Sequence, residues 1–111
     1  MFTSTEQLII RRARAMVASP SKWTRGAFAR DENGMVVQPA SPDATSFCAA
    51  GAIMRAAYEL AGCAHDWDRS AYDILRRSTD QAGRPLHLVN DRRGRAATLR
   101  LIDTYLLRFS S

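Results

Sequence analysis

The chain has no long apolar run, so none of its 111 residues forms a segment able to cross a membrane as a helix. A signal-peptide pattern is missing too. A polar STEQ follows Met1-Phe2, and the short apolar Leu8-Ile9-Ile10 runs straight into Arg11 and Arg12. A cytoplasmic protein is expected. Cysteine is scarce: Cys48 and Cys63 are too few for a disulfide scaffold and are expected to be reduced. Lysine is nearly absent, Lys22 being the only one among sixteen basic residues. Internal repeats, linkers and low-complexity tracts are lacking. So are helix-turn-helix, zinc-finger and RNA-binding motifs, and any oxyanion-hole motif. These absences remove membrane, secreted-scaffold and repeat classes, and leave no reaction announced by a motif.

What remains is an ordinary globular composition, 46% apolar and 24% charged, in a chain long enough for one core and too short for two. A single domain over residues 1–111 is expected. The formal charge is +5, with a pI near 10.0. Arginine suits bidentate recognition of phosphate or carboxylate. The same bias, shared with abundant alanine, is also what a GC-rich genome produces. A net positive charge still favours an acidic partner over a basic one.

Thr3 to Ser19 reads as an amphipathic helix, with Ser4 or Thr5 as cap, Ile9, Ala13, Met16 and Val17 on one face, and Pro20 as its stop. Asn33-Gly34 signals a tight turn between extended runs at Gly26 to Arg30 and Met35 to Gln38. Phe28, Met35 and Val37 supply apolar cross-strand contacts there. Ser41-Pro42 predicts the start of a central helix running to Gly62. Its small residues, Gly51 among them, imply that another element crosses closely, since glycine in a helix interior costs about 1 kcal/mol against alanine. Asp66 or Asp68 caps a further helix to about Ser78, burying Trp67, Ala71, Ile74 and Leu75. Gly83-Arg84-Pro85 breaks the chain, Leu86 to Val89 reads as a short strand, and a last helix runs from Gly94 to Phe109 through Leu99, Ile102, Tyr105 and Leu106. The fold class is α+β: about four helices, dominating the content, packed around one small antiparallel β-hairpin.

Three groups of residues bear on function. Arg11, Arg12 and Arg14 on the first helix, Arg76 and Arg77 on the third, and Arg92, Arg93 and Arg95 in one loop form, if they converge, a candidate partner-binding surface. The fitting partner is an acidic protein surface or a nucleoprotein complex, with nucleic acid itself as a further option and no membrane. A second possibility is thiol chemistry, with Cys48 as nucleophile, His87 as base and Asn90 or Asp91 orienting it. That order, Cys then His then Asn, is similar to papain-like peptidases. Against it, a helix starting at Pro42 puts Cys48 in the second turn, where the dipole has faded, and a cysteine among small residues is more often core. Cys63, His65, Asp66 and Asp68 fall short of a structural zinc pattern. No metal or cofactor is expected. Asn90 and Asp91 also suit plain backbone capping, and Trp23 suits an anchor for the hairpin.

Trp23 with Gly26, the run Phe47-Cys48-Ala49-Ala50-Gly51-Ala52, and Asn90-Asp91 before Gly94 together resemble a family of small bacterial and phage proteins of unknown function. Phe47 and Val89 stand where that pattern has tryptophan. The resemblance implies a compact single domain and lends no activity. The expectation for function is therefore a non-enzymatic, macromolecule-binding protein, related to phage or a mobile element. An anti-defence inhibitor such as an anti-CRISPR protein is one concrete form.

Overall fold

The computed structural model describes residues 2–61 and 67–106. Four helices carry it: α1 (Ser4–Ala18), α2 (Ala49–Ala61), α3 (Trp67–Ala82) and α4 (Leu86–Leu101). A 3-10 turn (Pro20–Lys22) follows α1, and a wider π turn (Ile102–Leu106) follows α4. Between α1 and α2 lie two short strands, β1 (Ala29–Arg30) and β2 (Ser46–Phe47), paired antiparallel as Ala29 with Phe47 and Arg30 with Ser46.

Helix α1 starts one residue earlier than its expected caps. Thr3 takes the cap, its hydroxyl accepting the Glu6 N–H at 3.1 Å while the Glu6 carboxylate accepts the Thr3 N–H at 2.9 Å. This reciprocal box satisfies two backbone donors that the helix cannot. At the other end Arg95 donates to the Ala18 carbonyl at 2.9 Å. The face carrying Ile9, Ile10, Ala13 and Val17 is buried against α2.

Helix α2 is the hub, contacting all three other helices. It begins at Ala49, not at Pro42. The Ser41 hydroxyl instead accepts the Asp43 N–H at 3.1 Å in a local turn, and residues 46–47 are drawn into the sheet. Strand pairing outweighs the local start signal. Gly51 has the packing reason its position implied: a Cβ there would lie 1.8 Å from the Phe28 carbonyl oxygen and 2.7 Å from its carbon. The backbone leading into β1 crosses the helix at contact distance.

The hairpin around Asn33-Gly34 is present only as a single bridge between Arg30 and Val36, the turn being held by Asp31. The principal pairing of residues 29–30 is with the distant 46–47. Val37 packs on the core, whereas Met35 points to solvent.

Helix α3 runs past Ser78 to Ala82, with Ala71 and Ile74 buried, and Gly83 (φ 73°) ends it. Leu86 to Val89 is helical rather than extended: Pro85 ends the preceding turn and α4 starts directly after it. Gly94, at φ 87°, breaks α4 into two helical segments, a backbone conformation that favours glycine. Gly62, Cys63, His65, Asp66 and Phe109, and the side chains of Trp67 and Tyr105, lie outside what is described.

Candidate functional site

Asn90 is the polar centre of the molecule. It sits in the first segment of α4 with none of its surface exposed. Its Oδ1 accepts the indole N–H of Trp23 at 2.8 Å and the backbone N–H of Ala49 at 3.0 Å. Its Nδ2 donates to the Thr24 carbonyl at 3.0 Å and to Asp91 Oδ1 at 3.1 Å. Asp91 also accepts the Gly26 N–H at 3.0 Å. The pair thus ties α4, the segment around Trp23 and the first turn of α2 together. Capping was expected of both residues, but at their own helix. Asn90 instead caps α2 at Ala49, 41 residues away, and Asp91 serves the N–H of Gly26. Trp23 is the expected anchor, and Arg25 stacks over its ring at 5.2 Å.

Cys48 immediately precedes α2, so it stands at the helix start and not in a second turn. Its Sγ accepts the Gly51 N–H at 3.4 Å, and the side chain is buried. Burial pushes the thiol pKa up. Hydrogen bonds from the Gly51 and Ala50 backbone oppose the shift, and the Asp91 carboxylate adds to it. Cys48, His87 and Asp91 do line one cavity of about 310 Å³. His87 stands at its exposed edge, its ring in edge contact with Phe28 at 6.5 Å. The three groups therefore share a cavity, but the hydrogen bonds of Asn90 and Asp91 go to each other, to Trp23 and to the backbone of Thr24, Gly26 and Ala49. Among the described residues no cluster of metal-ligating side chains occurs.

Several of the arginines make contacts within the fold. Arg14 forms a bidentate pair with Asp103, its Nη2 donating at 2.9 Å, and holds that carboxyl below the usual range. Arg12 approaches Glu59 at 4.0 Å. Arg77 lies 3.9 Å from Glu6 and stacks over Phe2. Arg95 caps α1. Arg11, Arg76, Arg92 and Arg93 are exposed.

A different surface was not singled out from the sequence. The Cys48 cavity shares Phe28 and His87 with a second cavity of about 310 Å³, which in turn shares Met54, Tyr72 and Leu75 with a third of about 550 Å³. Phe28, Val36 and Tyr72 line this continuous groove from solvent-exposed positions. Tyr72 was detectable in principle, because it falls outside the Ala71–Ile74–Leu75 stripe of α3. Val36 was not, since a single residue at a strand edge has no periodic signature.

Sequence and structure together define a small, mostly helical α+β protein whose segments are tied together by a buried asparagine. A model described as a family of unknown function (DUF6197) matches residues 1–104, and the chain belongs to that family. Neither a curated protein nor a solved structure matches it. Membership meets the expected kinship with an uncharacterised family and lends no activity.

Proposed function

We propose that this is a non-catalytic binding protein that holds another protein through the apolar groove between the strand edge and α3. One observation carries the reading. Of the six large hydrophobic residues exposed among the described ones, three line the groove: Phe28 (45% exposed), Val36 (66%) and Tyr72 (65%), with Met35 (65%) adjoining Val36. Single exposed hydrophobics need no explanation, but a contiguous set marks an interaction site. The charged side chains along the groove, Arg69 and Arg76 against Asp68, Asp80 and Asp91, leave one net negative charge. A groove without cationic excess does not suit phosphate backbones, so the occupant is a protein segment presenting large apolar side chains. The strand edge supports the same occupant. In the Arg30–Val36 bridge the hydrogen bonds run between Asp31 and Met35 and between Val37 and Ala29, which turns the Val36 peptide groups away from β1. An extended segment can add to that edge.

The arginine surface is the weaker support for binding, because Arg14, Arg77 and Arg95 serve contacts within the fold. The test is a photocrosslinking amino acid placed at position 28, 72 or 8 in cells that make the protein. One discrete crosslinked protein from positions 28 and 72, and none from Leu8, is the expected pattern. Equal yields from all three positions, or a product consisting only of two copies of this chain, would sink the reading.

A cysteine-dependent enzyme is the second reading, favoured by the shared cavity of Cys48, His87 and Asp91. It requires a thiolate, and burial opposes one.

A further inference from the structure

We propose a second, separate site: the cleft between α1 and α2 binds a phosphate monoester that carries a planar aromatic group. The cleft has a volume of about 520 Å³ and shares no lining residue with the apolar groove. That volume lies within the usual range for small-ligand sites, roughly 300–1,000 Å³.

Three cations, Arg12, Lys22 and Arg55, face one carboxylate, Glu59. The surplus is two positive charges, the charge of a phosphate monoester at neutral pH. Glu59 does not saturate the guanidiniums. It lies 4.0 Å from Arg12 Nη1 and 3.9 Å from Arg55 Nε, whereas a charge-assisted hydrogen bond closes to about 2.7–2.9 Å. Arg55 is already held in place: its Nη1 donates to the Pro39 carbonyl at 3.1 Å and the Ser41 carbonyl at 2.7 Å, and its guanidinium lies 5.7 Å from the Phe47 ring centroid. A cation fixed before the ligand arrives loses little side-chain freedom on binding. Lys22 sits exposed in the 3-10 turn and adds a mobile point charge at the rim. Met16, Ala44 and Phe47 give the cleft an apolar wall on which a flat group can lie.

The experiment is isothermal titration calorimetry of the whole protein with three probes: adenosine 5′-monophosphate, inorganic phosphate and adenosine. The monophosphate should bind saturably with Kd below about 1 mM, inorganic phosphate at least about 10-fold more weakly, and adenosine not detectably. Lys22→Ala and Arg12→Ala, both at exposed positions, should each weaken the monophosphate about 10-fold. Glu59→Gln, which removes the competing carboxylate, should tighten it about 3-fold or more. Arg92→Ala should leave it unchanged. The proposal is overturned by no saturable binding of the monophosphate up to about 5 mM. It is equally overturned by adenosine or free phosphate binding as well as the monophosphate does, by full affinity in the Lys22 and Arg12 variants, or by weaker binding after Glu59→Gln. Because the groove is not touched by these variants, its crosslinks should persist in all of them whichever way the titration falls.

Discussion

Replacing Asn90 by alanine removes a side chain whose two polar atoms serve four partners. Three of those partners, the Trp23 indole N–H, the Ala49 N–H and the Thr24 carbonyl, belong to other segments. Water cannot simply take over, because Asn90 itself has no exposed surface. Each group left unpaired costs roughly 1–2 kcal/mol, so the three together predict a loss of about 3–6 kcal/mol. Against the roughly 5–15 kcal/mol of a typical domain, that leaves the variant marginal at best. The assay is equilibrium urea unfolding followed by tryptophan fluorescence, with circular dichroism as a second probe. Asn90→Asp sharpens the argument. It keeps an acceptor for Trp23 and Ala49 but loses the amide donor and sets a second carboxylate beside Asp91, where Nδ2 now lies at 3.1 Å. The introduced acid should have a raised folded-state pKa, so the variant should be most stable at low pH and lose stability as pH rises through that value. An alanine variant within about 1 kcal/mol of the parent would refute the Asn90 hydrogen bonds as the organising feature.

Other consequences follow from single contacts. Gly51→Ala gains about 1 kcal/mol of helix propensity but drives a Cβ to 1.8 Å from the Phe28 oxygen, so a net loss of at least about 2 kcal/mol is expected in a thermal melt; an unchanged melt would contradict the close crossing. Cys48 should resist iodoacetamide in the native protein at neutral pH and react on unfolding, and rapid native alkylation would favour the enzyme reading instead. Its raised pKa carries a sign: the contribution to stability is complete below the unfolded thiol value of about 8.5 and is lost as pH rises above it, so unfolding by urea should become easier toward pH 10 or so. Ser78 has its hydroxyl buried without a partner among the described residues. Ser78→Ala should be neutral or raise stability by up to about 1 kcal/mol, and a clear loss in the urea midpoint would reveal a bond not seen here.

Local signals carried the helices. The apolar spacing of α1, the small residues of α2 and the break at Gly83-Arg84-Pro85 each act within a few residues, and each is realised. Gly51 was legible because glycine inside a helix demands a reason, and the Phe28 backbone supplies it. The errors lie where tertiary contacts override local preference. Ser41-Pro42 resembles a helix start, yet residues 46–47 join a sheet whose other strand is residues 29–30. Leu86 to Val89 resembles a strand, yet the segment directly after Pro85 continues as helix. The site shows the same division. Asn90 and Asp91 were identifiable as capping residues, but no local pattern says that their partners are Ala49 at the start of α2 and Gly26. The internal contacts of Arg14, Arg77 and Arg95 were equally illegible, because a sequence does not show that Asp103, Glu6 and the Ala18 carbonyl lie within their reach.

The claim that matters most is that this protein binds a protein partner through the Phe28–Tyr72 groove. The most direct measurement compares partner retention by four affinity-tagged forms after crosslinking in cells and nuclease treatment: the parent, Phe28→Asp with Tyr72→Asp, Leu8→Asp, and Arg92→Ala with Arg93→Ala. Burying two aromatic side chains is worth roughly 1.5–3 kcal/mol each, so the doubly substituted groove should lose its partner by well over about 100-fold. The Leu8 and arginine forms should retain it at the parent level. Retention by the groove variant, together with loss from the arginine variant or after nuclease, would contradict the account and return the binding surface to the arginines.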